Sequence, residues 1–482
     1  MRAASFALPV AAIVVGACSS APEPSDEPVG RASSAIINGQ VDTTHEAVVV
    51  VVSGDGTHID GLCTGTIVKV DTARNIGWVA TAAHCVESAP LYVLQCADFG
   101  TGPCLSYETV DFRFEPSYNG QVGAANDIAM IRVAGVDGST PTIPLVTAPD
   151  GLTTGSAVVS VGYGRTSGVV SSNPNDQNTK RHSVSKTISQ IQGNGALLVY
   201  NQSTSGICQG DSGGPVISSA GGGERVVGIH SFVSGSQAQI RACSGTGVSV
   251  RVTAGASFWN GELGKALPAE DCALCQKVAN SGNGQCATVL RNCIADKANC
   301  GGFLECLNKG TSRANCLKQF PKAEGPLNAV ANCTCTQACA DKCAGNLDCA
   351  QVPKCGYKLP AGDCSTCLES SCCDETLDCS ADGTCYVCLK TKDAAEECAG
   401  NASRKKMATC AATKCATECA GSGIETGAEP EPEGEGTPEG GGGGTTVTTT
   451  ESCAAAPGAR GGFGAFVLAG LALAAGARRR RR

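Results

Sequence analysis

Short apolar runs separated by Gly, Asn, Asp and Ser clusters fill the chain from Ile36 to about Leu263: EAVVVVVS, GTIVKV, GWVATAA, AVVSVGYG, PVIS and ERVVGIHSFV. Runs of this length bounded by turn formers predict strands, and so many of them predict an all-β barrel or sandwich. A short helical ending, RVTAGASFWNGEL, closes the pattern. From Asp271 to Ala420 the texture changes, with a cysteine every few residues and too few apolar side chains for an ordinary core. Two halves of that region look alike: DCALC at 271 against DCSTC at 363, LECL at 304 against YVCL at 386, and QACADKCAG at 337 against TKCATECAG at 413. An internal duplication is expected. The spacing of four between Cys339 and Cys343, and between Cys415 and Cys419, puts each pair on one helix face, so small cross-linked helical hairpins follow.

The flanks divide the rest. Met1 to Ala17 carries one positive charge and the run FALPVAAIVVGA, too short for a comfortable span but suited to a secretory signal. Residues 19 to 35 are polar and proline-containing, so 1–35 reads as signal peptide plus propeptide. Residues 421–452 are an acidic Gly/Pro/Thr-rich spacer, and 453–482 hold Cys453, the apolar FGAFVLAGLALAAGA and five closing arginines. The expected units are therefore 1–35, 36–263, 271–420, 421–452 and 453–482.

Charge changes the picture little. A net charge of -8 with no basic cluster before the last five residues argues against a nucleic-acid partner. Cysteine says more: of 32, setting aside Cys18 in the leader and Cys453 in the tail leaves thirty. That number of thiols fits bridges in an exported protein, not a reducing cytosol. Pairs such as Cys272/Cys275, Cys364/Cys367 and Cys385/Cys388 have zinc-ligand spacing, but the region lacks histidine, so disulfides are expected and no metal site is assigned.

Chemistry concentrates in four segments: IING at 36, VATAAHC at 79–85, NDIAMIRV at 126–133 and ICQGDSGGPV at 207–216. A serine hydroxyl is a poor nucleophile at neutral pH and needs a base within hydrogen-bond reach. His84, Asp127 and Ser212 are the candidate groups in these segments. In this order the segments resemble the chymotrypsin/trypsin-like serine peptidases, over residues 36 to about 263. For these three residues that resemblance implies the roles of base, orienting acid and nucleophile. The resemblance implies a double six-stranded β-barrel, no metal or organic cofactor, and a protein or peptide substrate cleaved through an acyl-enzyme. It further implies an oxyanion hole from the N–H groups of Gly210 and Ser212, and a zymogen. Cleavage after Ala35 would free the amine of Ile36 to pair with Asp211. Ala35 stands where the family has Arg or Lys, so the activator is another peptidase or the enzyme itself.

By the same resemblance Cys63 pairs with Cys85 and Cys208 with Cys243, while Cys96 and Cys104 close a local loop. The specificity pocket would be built from Gly206, Ile207, His230, Ser231, Phe232 and Val233. No acid stands at Gly206, the position where Arg/Lys-cleaving members carry Asp, so trypsin-like specificity is not expected. Val233 narrows the entrance and favours small or medium aliphatic residues. His230 opens the alternative of Glu specificity, because GIH resembles Glu-specific bacterial members.

The leader's VGAC resembles a bacterial lipobox, which would make Cys18 the lipidated residue. Cys453, the apolar run and the arginines resemble the MYXO-CTERM sorting tail of myxobacterial surface proteins, implying processing near Cys453. A transmembrane tail is the plain alternative. Placement is thus expected at the cell surface or outer membrane of a bacterium, with the membrane as partner through the tail, or outside the cell after release. The rival function is a catalytically silent adhesin or binding protein that uses its cysteine-rich repeats.

Overall fold

Five consecutive valines, Val48 to Val52, are buried on both faces of one strand, which requires apolar layers on either side of it. A computed structural model describes residues 35–54, 59–166, 178–357, 362–391, 398, 400–420 and 424. Its strands are β1 (Gln40–Val41), β2 (Val48–Gly54), β3 (Ile59–Asp71), β4 (Ile76–Thr81), β5 (Pro90–Gln95), β6 (Leu105–Phe114) and β7 (Ala129–Ala134). There follow β8 (Ala157–Gly162), β9 (His182–Thr187), β10 (Gln190–Gln192), β11 (Leu197–Asn201), β12 (Pro215–Ser218), β13 (Arg225–Ser234) and β14 (Thr246–Arg251). Val49 and Val51 pack inside the first half with Ile67, Val79, Ile131 and Val133. Val48, Val50 and Val52 join a cluster that also takes Val161, Ile217, Ile229 and Trp259. The valine strand is therefore a shared wall.

The first half is a closed six-stranded barrel in the order β2-β3-β4-β7-β6-β5. The second is an eight-stranded sheet, β1-β9-β8-β12-β13-β14-β11-β10, rather than the second closed six-stranded barrel expected from the sequence. Its six central strands repeat the cyclic order of the first half, but β9 and β11 form no ladder. Both edges are already occupied: β1 lies on β9, and β10 folds back on β11 through Gln190↔Val199. The near closure is marked by the Ser189 N–H on the Val199 carbonyl (2.8 Å) and by Lys186 Nζ of β9 on the Asn201 carbonyl of β11 (2.6 Å).

The segment after Ile36 is held by more than β1. Asp42 donates its N–H to the Arg181 carbonyl (2.8 Å), and its carboxylate pairs with the buried Arg181 guanidinium at 3.4 Å. At the other end of the domain, the helix Ala256–Gly264 crosses to the first barrel. There Trp259 is fully buried and the Glu262 carbonyl accepts from Nε1 of Trp78 (3.3 Å).

Residues 272–419 form short helices tied by twelve disulfides. The first half nests Cys272–Cys343, Cys275–Cys339 and Cys286–Cys333 around Cys293–Cys300 and Cys306–Cys316. The second repeats this nesting with Cys364–Cys419, Cys367–Cys415 and Cys372–Cys410 around Cys379–Cys385 and Cys388–Cys398. Cys335–Cys349 and Cys355–Cys373 complete the set. Sulfur fills much of the interior, with Phe303, Leu304 and Val330 in one half and Leu368 and Met407 in the other.

This region docks on the first barrel. The Gly282 N–H bonds the Ser106 carbonyl (2.7 Å), the Asn283 N–H bonds the Gly135 carbonyl (2.8 Å), and Lys277 reaches Thr109 O (2.7 Å) and Glu108 (3.1 Å). Gly135 stands at φ 88°, and a Cβ there would lie 2.2 Å from the Ser281 carbonyl. The docking point is at the far end of β7 from Asp127, about 25 Å along the strand at 3.3 Å per residue.

The expectation of a transmembrane tail, and with it of a membrane partner, is corrected. Among the described residues no helix is long and apolar enough to cross a membrane. The longest, Ala402–Lys414, has 13 residues, about 20 Å against a hydrocarbon core of about 30 Å. Cys18, the spacer from 425 on and the tail with Cys453 lie outside the described residues.

Gly135→Ala is expected to lower the unfolding midpoint of the intact chain by the equivalent of at least about 1–2 kcal/mol, from the left-handed backbone alone. Limited proteolysis between residues 264 and 282 should then be faster than in the parent protein.

Candidate active site

Two antiparallel neighbours set the first pair. Thr81 at the end of β4 faces Ala129 at the start of β7. His84 lies three residues beyond Thr81, in the 3-10 turn Ala83–Val86, and Asp127 lies two residues before Ala129, so both emerge at one end of the barrel. Nδ1 of His84 donates to Asp127 Oδ2 (2.9 Å), and the His84 backbone N–H to Oδ1 (3.0 Å). A third donor comes from the other half of the domain, where Ser231 Oγ lies 2.5 Å from Oδ2. Asp127 is fully buried. Burial alone would raise its carboxyl, but the bonds and charge of His84 and the Ser231 hydroxyl outweigh it and hold Asp127 below the usual carboxylate range.

Ser212 sits in a tight turn before β12. The Asp211 N–H bonds Cys208 O (3.0 Å), the Gly214 N–H bonds Asp211 O (2.9 Å), and the Gly213 N–H bonds His230 O (2.8 Å). Gly213 is at φ 78°, and a Cβ there would come 2.0 Å from Thr81 Oγ1, so the turn presses against the strand that leads to His84. Buried Thr64 on β3 pins the turn from the first barrel. Its N–H bonds Ser212 O (2.8 Å) and its Oγ1 donates to Gly210 O (2.8 Å) while accepting from the Tyr163 N–H (3.1 Å). Among the described residues, no acceptor takes the N–H of Gly210 or of Ser212, and no hydrogen bond joins Ser212 Oγ to His84. The disulfide Cys63–Cys85 packs directly beside this turn.

Asp211 is turned inward and fully buried. Oδ1 accepts from the Gly164 N–H and Oδ2 from the Cys208 N–H, both at 2.8 Å, and no cation faces it among the described residues. Burial outweighs the two backbone bonds and pushes its pKa up to about 7. Ile36 is likewise buried although Ala35 is still attached, and it sits at φ 48°, a strained conformation for a β-branched residue. Ile37 bridges to Gly206, with Gly206 N–H bonded to Ile37 O (3.1 Å).

The pocket residues are brought to one region. Cys208–Cys243 ties its two sides, Ile207 is buried, and Phe232 and Val233 are partly exposed. His230 is fully buried; Nδ1 bonds Ser249 Oγ (2.9 Å) and Nε2 has no hydrogen-bond partner. Burial, little offset by the nearby Pro215 carbonyl, lowers its pKa to about 3, so the ring is neutral. Ser231 was expected at the pocket, yet its hydroxyl serves Asp127 and accepts from the Gly123 N–H (3.1 Å). Cys96–Cys104 closes its loop away from these groups.

The trypsin family model matches residues 36–258. Residues 36–258 are a trypsin-family serine-peptidase domain. The match supports a trypsin-like serine peptidase activity for this domain, and the disulfide-dense helical region follows it. Among curated proteins, nothing matches the chain.

Sequence reasoning missed Thr64, the Asp127-facing role of Ser231, and Gln202, which fills space under the pocket. All three are ordinary residue types, and the partners of Thr64 and Ser231 lie far off in sequence, so no local pattern signals them.

Asp211 gives a pH prediction for the uncleaved peptidase. Its folded pKa, about 7, lies above its ordinary 3.8, so between those values the folded chain holds the extra proton. Stability from this group therefore falls as pH rises from about 4 to about 7. Urea midpoints across that range should show the fall, and Asp211→Asn should remove this part of it.

Proposed function

We propose that the chain is an exported serine endopeptidase made as a zymogen, in which Ser212 is the nucleophile, His84 the general base and Asp127 the residue that orients it. The observation that carries this reading is the three-donor cradle of Asp127, which fixes the His84 ring beside the pinned turn of Ser212. With Nδ1–H committed to Asp127, Nε2 is the nitrogen left to take the Ser212 proton as Oγ attacks a peptide carbonyl. The same nitrogen then returns the proton to the leaving amine. The N–H groups of Gly210 and Ser212, which have no acceptor among the described residues, are the donors for the oxyanion, and one such donor contributes about 3 kcal/mol to the transition state.

Zymogen activation is read from Asp211 and Ile36. A buried carboxylate without a cation is costly, and a new ammonium on Ile36 after cleavage of the Ala35 bond is its natural partner. Release from Ala35 would also let Ile36 leave its strained φ. The absence of an acid at Gly206 supports cleavage after residues other than Arg or Lys, and Ala35 itself is a small residue. Export is supported by the fifteen disulfides and the family. The resemblance of the tail to a sorting signal supports processing near Cys453 for delivery to the cell surface.

An active-site phosphonylating probe tests the reading. Chain beginning at Ile36 is expected to label at Ser212, and the uncleaved chain to label far more slowly. Ser212→Ala should abolish labelling and lower kcat by about 10^6-fold, and Asp127→Asn by about 10^4-fold. Labelling that survives Ser212→Ala would overturn the assignment.

A further inference from the structure

Gln202 lies just after β11, four residues before Gly206, and is almost completely buried. Its amide is oriented without ambiguity. Oε1 accepts from the Ile207 N–H (2.7 Å), while Nε2 donates to Ile207 O (3.2 Å) and to Cys243 O (3.3 Å). Both amide hydrogens are used, which leaves one free lone pair, on Oε1.

The position of that oxygen is fixed by two glycines. Gly206 belongs to the pocket that the resemblance implies, at the position where Arg/Lys-cleaving members carry Asp, and Gly247 pairs across from Val233, which narrows its entrance. A Cβ on Gly206 would lie 2.3 Å from Gln202 Oε1, and a Cβ on Gly247 would also lie 2.3 Å from it. The two glycines thus face each other across one carboxamide. The space that side chains at either position would fill already holds Gln202.

We propose that Gln202 is the specificity-determining floor of the substrate pocket, making it shallow and restricting the residue before the cleaved bond to small, uncharged side chains such as Ala, Ser or Val. This deepens the peptidase reading above and rests on it. Val233 narrows the pocket from the side, and Gln202 closes it from below. The lone pair left on the floor is an acceptor, so it repels a glutamate carboxylate and decides between the two specificities left open by the sequence. His230 does not reverse this, because its Nδ1 is engaged by Ser249 and the ring is neutral. The Ala35–Ile36 bond then falls within the enzyme's own preference.

The test compares kcat/KM on peptide substrates that differ only at this residue (Ala, Val, Leu, Phe, Glu, Arg), using full chain cleaved at Ala35, with concentrations set by titrating Ser212 with the phosphonylating probe. The parent enzyme is expected to prefer Ala or Val over Phe and Glu by about 100-fold or more, each methylene that does not fit costing about tenfold. Gln202→Asn and Gln202→Ala should raise Leu and Phe cleavage relative to Ala by at least about tenfold, the larger shift with Ala. Titration restricts the reading to folded sites, and if neither variant yields titratable serine the parent profile decides alone. Parent preference for Leu, Phe or Glu, or variants with an unchanged ratio, would overturn the proposal. Failure of the parent to be titrated at all would instead overturn the peptidase assignment beneath it.

Discussion

Thr64 joins the two halves of the peptidase domain at the point where chemistry requires them to meet. Its carbonyl accepts from Thr81 Oγ1 (2.9 Å), on the strand that leads to His84, and its N–H and hydroxyl hold the carbonyls flanking Asp211. Four bonds at one buried residue therefore couple the histidine side of the site to the serine side. The rest of the site is built outward from this seam: Ser231 reaches from β13 to Asp127, and the Gly213 turn rests against Thr81. A site assembled between two sheets needs such a seam, because neither sheet alone fixes the other's position.

The burial of Asp211 follows from the same tight turn. Two backbone N–H groups satisfy part of its hydrogen-bonding capacity but supply no charge, so in the intact chain its pKa stands at about 7 and the carboxyl is only partly ionised near neutral pH. An amine delivered by Ile36 would change the electrostatics of the turn carrying Ser212 without moving any other residue of its own segment, since β1 and the Asp42–Arg181 pair already anchor the chain beyond it. The uncleaved state is thereby set against full ionisation of the turn.

Much of this was legible in the sequence because some chemistry tolerates few residue types. The β-rich texture marked the strands, and the valine run marked a strand buried on both sides. His84, Asp127 and Ser212 stood out through their neighbours; His84 and Asp127 are hydrogen-bonded here, and the turn of Ser212 lies beside the Cys63–Cys85 bridge. The open second sheet was not legible: β1 and β10 have two and three residues, too few to show a period, yet they occupy the edges that closure would need. The floor of the pocket was hidden for another reason. A glycine at 206 reads as empty space in one dimension, whereas the fold fills that space from Gln202. The pairing of the twenty-four later cysteines was equally hidden, since sequence gives spacing but not which helices face each other.

The nested bridges have a consequence for a protein that carries its own peptidase. Peptidases of this kind need a length of chain drawn out into an extended form, and compact regions offer it only when they open locally. In the helical region the widest interval between neighbouring cysteines is the sixteen residues between Cys316 and Cys333, and every cysteine from 272 to 419 is bridged. Nicks within 272–349 or within 355–419 would leave the fragments covalently joined, because bridges span every interval inside each half. An alanine-rich segment is thus held together even where the peptidase that travels with it cuts.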